Sequence, residues 1–166
     1  MQLGRGAFGR VFLAELKDTG EKFAIKSIRK DKVLMNQMLE KIRLEKDMLF
    51  ELDHPFLCGM KYFFQTDLRL YFVMPFIQGG EMYRILCTVK KFEERMAKFY
   101  AAQLVIAVGH LHERGYMHRD LKLENIMMDE SGYLKIIDFG LAKIIVSNEI
   151  SFTQCGTPEY FAPEII

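Results

Sequence analysis

The sequence predicts an α+β chain in two lobes, strands first and helices second. Two observations carry this: the first half reads as strands interrupted by one helix, and past Gln78-Gly79-Gly80 the apolar spacing turns helical. Composition agrees, since 50% of the 166 residues are apolar and 27% charged, enough for a packed core. Lys plus Arg number 23 and Asp plus Glu 22, so the net charge is +1. That balance argues against a nucleic-acid partner and against a polybasic membrane anchor. The best apolar run, Ala101 to Gly109, is too short for a membrane span and is interrupted by Gln103. The N-terminus lacks the hydrophobic stretch of a secretory signal. Cys58, Cys87 and Cys155 are scattered without a CxxC pair, as expected of reduced thiols in a cytoplasmic or otherwise intracellular protein.

The elements follow in order. Val11, Leu13 and their neighbours alternate toward Asp18-Thr19-Gly20, and Phe23 to Ile28 resumes strand character. Asp-Thr-Gly is a hairpin-type turn in which Gly20 is free to take positive φ. From Asp31, which suits an N-cap, Leu34, Met38, Ile42, Leu49 and Leu52 keep helical spacing and predict one helix. Strands are expected around Met60–Phe64 and Leu70–Met74, joined by the polar Gln65-Thr66-Asp67 turn. Glu81–Val89 reads as a helix, and Glu93–Glu113 as a long one with Met96, Tyr100, Leu104, Ala107 and Leu111 on one stripe. Glu93 and Glu94 sit in its first turn, and His110 and His112 near its end, where imidazolium suits the dipole. Asp129–Gly132 is a turn, Leu134–Ile137 a buried strand, and the pattern beyond Asp138 is loop.

Several motifs carry chemistry. Gly4-Arg5-Gly6-Ala7-Phe8-Gly9-Arg10-Val11 matches GxGxxGxV. A dinucleotide turn of that pattern opens a helix, whereas Val11-Phe12-Leu13 continues as strand. A glycine-rich hairpin can fold over a nucleotide and let backbone approach its phosphates; a turn without a ligand is the alternative for the motif alone. Lys26 lies in the apolar strand Phe23-Ala24-Ile25-Lys26, where an unpaired ammonium is costly. Glu45 falls on the apolar stripe of the helix that follows. Taken singly, the lysine reads as a snorkelling edge residue and the glutamate as a rim position. Taken together, two inward-facing opposite charges are more simply one ion pair.

His118-Arg119-Asp120-Leu121-Lys122-Leu123-Glu124-Asn125 directly follows the long helix, and Asp138-Phe139-Gly140 closes the buried strand. A carboxylate and an amide five positions apart in one loop can face a single polyphosphate, and a second carboxylate at a strand end suits Mg²⁺. Either triplet alone reads as an ordinary turn. Cys155 sits between Thr153 and Thr157; a redox-sensitive thiol is one reading and a structural thiol the simpler one.

In this order the pieces resemble a eukaryotic protein kinase, over essentially all 166 residues. Gly4 to Val11, Lys26, Glu45, HRDLKLEN, DFG and Ala162-Pro163-Glu164 stand in the family's sequence. Lys122 and Gly156-Thr157-Pro158-Glu159 resemble serine/threonine kinases. His54-Pro55-Phe56, Gly79-Gly80-Glu81-Met82, Phe99-Tyr100-Ala101-Ala102 and Cys155 to Tyr160 resemble the AGC group, with the cyclic-nucleotide-dependent kinases and their growth-factor-regulated relatives as the nearest likeness. The resemblance implies a strand-rich N-lobe over 1–77 and the first part of a helical C-lobe over 78–166. It implies that ATP is covered by Leu3, Gly4, Gly6, Gly9 and Val11 and lined by Ala24, Met74, Pro75, Phe76 and Ile77. Lys26, held by Glu45, would meet the α- and β-phosphates. Asp120 would orient the substrate hydroxyl and accept its proton, Lys122 would neutralise the transferring group, and Asn125 and Asp138 would hold Mg²⁺.

Thr153 matches the activation-loop phosphosite, served by an upstream kinase or by autophosphorylation, with Arg119 as the phosphate's partner and Lys41 and Lys143 beside it. Glu81, Glu124 and Thr157 would meet the peptide, with a preference for upstream Arg. Leu123 departs from the usual proline, His118 from the tyrosine common in AGC kinases, and Pro75 removes a hinge donor while keeping its carbonyl. The alternative is a catalytically silent nucleotide-binding or interaction module, disfavoured because no catalytic position is missing. By analogy with the family, the first strand would be truncated and on the order of 100 residues would follow Glu164. The 166 residues alone are expected to be poorly stable and inactive.

Overall fold

The structure, a computed structural model, describes residues 1–5, 9–145 and 155–165. The chain divides into two compact units, Met1–Asp53 with Cys58–Phe76, and His54–Leu57 with Ile77–Ile166.

The first unit is a five-stranded antiparallel sheet with two helices. The strands are β1 (Gln2–Arg5), β2 (Gly9–Glu15), β3 (Lys22–Arg29), β4 (Tyr62–Gln65) and β5 (Arg69–Pro75), in the spatial order β1-β2-β3-β5-β4. The Asp18-Thr19-Gly20 turn joins β2 to β3, and Gly20 takes φ of 73°. β3 is the inner strand: Lys26 lies opposite Val11 of β2 on one side and Phe72 of β5 on the other. Ile28, Ile42, Met48, Leu49 and Phe72 are buried, with Phe63 standing edge-on to Phe72 at 5.2 Å between centroids.

The single helix expected from Asp31 is two helices, α1 (Lys30–Met35) and α2 (Leu39–Glu51). Local hydrogen bonding overrides the apolar spacing here. The Asn36 amide donates back to the Lys32 carbonyl at 2.7 Å, and Gln37 takes a left-handed φ of 53° that no helix continues. Nor does Asp31 cap the helix. Arg29 is the N-cap, and the Asp31 carboxylate inside the first turn accepts from the Arg29 guanidinium and the Lys32 amide.

The second unit is helical with two short ladders. α3 (Met82–Val89) and α4 (Glu94–Glu113) are followed by β6 (Tyr116–Met117), β7 (Ile126–Met128), β8 (Leu134–Ile136) and β9 (Lys143–Ile144). β7 pairs β8, with Ile126 opposite Ile136, and β6 pairs β9. The tail is therefore less irregular than its sequence suggests, with β9 and 3₁₀ turns at Pro158–Tyr160 and Pro163–Ile165. Met82, Ile126 and Leu134 form a buried cluster against which Ile85, Phe92, Tyr100 and Leu104 pack. On the α4 stripe Ala107 and Leu111 are fully buried, whereas Met96 is exposed. His110 lies near the end of α4. Its Nδ1 faces Arg114 Nη1 at 3.0 Å, and because a guanidinium only donates, that nitrogen is an acceptor.

Candidate active site

In the first unit the notable pair is on β3 and α2. Lys26 Nζ donates to Glu45 Oε1 at 2.5 Å, with the Glu45 side chain 6% exposed and that of Lys26 24%. A carboxylate so deep in an apolar helix face needs its cation, and the lysine has the matching need. The two anomalous charges in the sequence are thus one ion pair. Around it, Gly4 stands opposite Val11 across β1 and β2, and Ala24 opposite Met74 across β3 and β5. Gly9 has a packing reason to be glycine, because a Cβ there would run into the Ser27 carbonyl of β3. Leu3 is exposed, Pro75 and Phe76 are half-buried, and the Phe76 amide donates to the Lys22 carbonyl at 3.2 Å. Met74 and Ile77 are buried. Gly6 and Thr153 lie outside the described residues.

In the second unit the loop after β6 gathers four polar side chains. Asp120 Oδ1 accepts from Thr157 Oγ1 at 2.7 Å, and Asp120 Oδ2 accepts from Asn125 Nδ2 and from Lys122 Nζ, each at 2.9 Å. Lys122 Nζ also donates to Thr157 Oγ1 at 2.8 Å, closing the set. Burial works to raise the Asp120 pKa. The bonds from Lys122 and Thr157, the Lys122 charge and the Asn125 amide outweigh it and hold the carboxyl below its ordinary value. Asp120 is therefore an ionised acceptor at neutral pH.

Backbone geometry fixes the loop. Arg119 takes φ of 66°, and its Nε donates to the Leu141 carbonyl at 2.8 Å. The Asp120 amide donates to His118 Nδ1 at 3.2 Å, and the His118 ring stands edge-on to Phe139 at 5.3 Å. Burial lowers the His118 pKa more than the Asp138 and Asp120 carboxylates raise it, so the ring is neutral and keeps its acceptor. Asn125 and Asp138 flank the end of the β7–β8 ladder, which the Ile137 amide extends by donating to the Asn125 carbonyl at 3.0 Å. Asp138 Oδ1 accepts from the Gly140 amide at 3.1 Å. Arg119 Nη1 is buried and has no hydrogen-bond partner among the described residues.

Glu81, at the start of α3, pairs with Arg84 at 3.2 Å, and Glu124 accepts from the Tyr160 hydroxyl at 3.4 Å. Two contributors were not read from the sequence. Gln103 is 3% exposed and its Oε1 accepts from the Leu134 amide at 2.8 Å, which anchors β8 ahead of Asp138. A lone amide inside an apolar helix run was the signal for it. Gly156, with φ of 107°, sets the approach of Thr157 to Asp120, and a Cβ on it would lie 2.7 Å from the Arg119 carbonyl.

Over residues 1–166 the chain matches the model of the protein kinase domain. It belongs to the protein kinase family. Its relatives include serine/threonine-protein kinase AtPK2/AtPK19 of Arabidopsis thaliana, 49% identical over 164 residues that make up 99% of this chain and 35% of the relative. Protein kinase C eta type of Mus musculus is 43% identical over 166 residues, 99% of this chain and 24% of that protein. RAC serine/threonine-protein kinase of Drosophila melanogaster is 42% identical over 165 residues, 99% of this chain and 27% of the relative. These are AGC-type serine/threonine kinases. The kinase chain spans roughly a quarter to a third of the length of the relatives it matches. Among the described residues no helix is long and apolar enough to cross a membrane.

Proposed function

We propose that this chain belongs to a serine/threonine protein kinase that moves the γ-phosphate of ATP to protein Ser or Thr hydroxyls with Mg²⁺. The observation that carries the reading is the Asp120–Lys122–Thr157–Asn125 set. It holds an ionised carboxylate beside a lysine ammonium, with every member hydrogen-bonded. A silent module would have no need to hold that carboxylate ionised beside a lysine.

The donor chemistry fits Mg²⁺ bound with a nucleotide. Among the described residues no three His, Cys, Asp or Glu side chains gather into a metal site, so a protein-only cage is not the design. Asn125 spends its Nδ2 on the carbonyl and carboxylate of Asp120, which leaves Oδ1 as its ligand atom, and Asp138 adds a carboxylate. One amide and one carboxylate oxygen, completed by phosphate oxygens, is a set that small hard cation accepts. When bound, Mg²⁺ neutralises phosphate charge.

The chain's own residues do the rest. Lys26, fixed by Glu45, binds the α- and β-phosphates, while Leu3, Gly4, Gly6, Gly9, Val11, Ala24 and Met74 to Ile77 receive the nucleotide. Asp120 orients the attacking hydroxyl and takes its proton, and Lys122 stabilises the negative charge of the group in transfer. Thr157 holds both in place. Arg119, whose buried Nη1 has no hydrogen-bond partner among the described residues, suits a phosphate on Thr153 supplied by an upstream kinase or by autophosphorylation. Glu81 and Glu124 favour Arg upstream of the target, the guanidinium displacing Arg84 or Tyr160 from those carboxylates.

The test is to incubate the full-length protein containing this chain with Mg²⁺, γ-labelled ATP and Ser, Thr and Tyr peptides. Label on Ser or Thr, faster with an upstream Arg, is expected. Absence of transfer, or transfer to Tyr alone, would overturn the reading.

A further inference from the structure

We propose that His54 and His110 form a proton-sensitive latch that holds the 54–57 segment on α4 and β8 at neutral pH and releases it in mild acid. The two rings lie 4.5 Å apart between centroids with a 41° tilt. Each ring commits Nδ1 as an acceptor. His54 Nδ1 takes the Phe56 amide at 3.1 Å, and His110 Nδ1 takes the Arg114 guanidinium at 3.0 Å. A protonated imidazole has only donors, so adding a proton to His54 breaks the Phe56 bond outright and opposes two N–H groups.

The surroundings make the proton unwelcome. The charged and titratable groups facing His54 are His110 and Arg114 on α4 and Lys135 on β8. Burial, then these neighbours, hold the His54 pKa below the ordinary histidine value. His110 Nε2 is buried without a hydrogen-bond partner among the described residues.

What the latch holds is a strap. The Ile136 amide donates to the Phe56 carbonyl at 3.0 Å, Leu57 bridges to Ile136, and Phe56 stacks on Tyr133 at 6.2 Å. Segment 54–57 follows α2 and is flanked on both sides by chain of the first unit, yet it packs with the second. Its release would free one side of β8, the strand that leads to Asp138. A folded-state pKa below the unfolded one means that this contribution is complete above about pH 6.5 and is lost as pH falls toward the folded value. The latch stands whether or not the chain transfers phosphate.

The experiment is hydrogen exchange at the Phe56 amide in the full-length protein between about pH 7.5 and 5.5, corrected for intrinsic rate and compared with His54→Asn. The range spans the ordinary histidine value of about 6.5. Asn offers an oxygen acceptor to the amide two residues on but does not titrate. Wild type should lose protection as pH falls, and His54→Asn should keep it. Equal acid loss in both proteins, or unchanged protection in wild type, would overturn the latch. Should His54→Asn not fold, imidazole nitrogen shifts of the wild type decide. An Nε2–H tautomer of His54 with a midpoint below about 6.5 supports the latch, and an Nδ1–H tautomer or a higher midpoint contradicts it.

Discussion

Thr157 Oγ1 donates to Asp120 Oδ1 at 2.7 Å across 37 positions of sequence, and the same oxygen accepts from Lys122 Nζ at 2.8 Å. One hydroxyl therefore bridges a carboxylate and an ammonium that are themselves paired at 2.9 Å. A hydroxyl in this position orients both groups at once, and removing it leaves each with a poorer partner.

Thr157→Ala should lower kcat/KM by roughly ten- to a hundredfold, since a hydrogen bond to a charged group contributes about 1.5–3 kcal/mol. Thr157→Ser keeps the hydroxyl and should recover most of the loss. Steady-state peptide phosphorylation by the two variants is the check. Equal rates for Ala and Ser would remove Thr157 from the positioning set.

Lys26→Met and Glu45→Gln should each reduce activity, and the double variant should be little worse than either. Both changes delete one interaction, the 2.5 Å pair, and residues in contact do not add. A double-mutant cycle in kcat/KM measures this directly, and additive losses would mean that the pair does not act as a unit.

The Asp120 carboxyl is held below its ordinary value, so its contribution to stability is full above the unfolded value of about 3.9 and is lost as pH falls through the folded one. The difference in Tm between wild type and Asp120→Asn should stay constant from about pH 8 to 5 and shrink below about pH 4. Thermal unfolding at a series of pH values tests the sign.

Gly156→Ala should destabilise by about 1–3 kcal/mol, the range for a residue forced into an unfavourable backbone region. At φ of 107° a Cβ would lie 2.7 Å from the Arg119 carbonyl, so relief must come from moving Thr157 away from Asp120. Tm and turnover should fall together. A normal Tm with normal turnover would show that the turn tolerates a side chain.

Much of the local structure was legible because the signals were local. Asp18-Thr19-Gly20 is the hairpin turn that its composition implies, and Lys26 and Glu45 betrayed each other as charges on apolar faces. The break between α1 and α2 was not legible from apolar spacing, because Leu34, Met38 and Ile42 keep the helical period across it. The Asn36 side chain and the left-handed Gln37 decide the matter. The Thr157 contacts were illegible for a different reason. They join positions 35 and 37 residues apart, and no periodicity reports on such a distance.

The most direct test compares wild type with Asp120→Asn in the full-length protein, measuring both nucleotide affinity with Mg²⁺ and transfer of labelled γ-phosphate to a Ser/Thr peptide. In the proposed reading Asp120 would accept the hydroxyl proton, a role of the kind that contributes about 10²–10⁴-fold to rate, while the residues proposed to receive the nucleotide are left unchanged by this substitution. The expected result is nearly unchanged affinity with transfer reduced by about that factor. Wild-type transfer by Asp120→Asn, or no transfer by wild type that binds nucleotide, would contradict the assignment of this site.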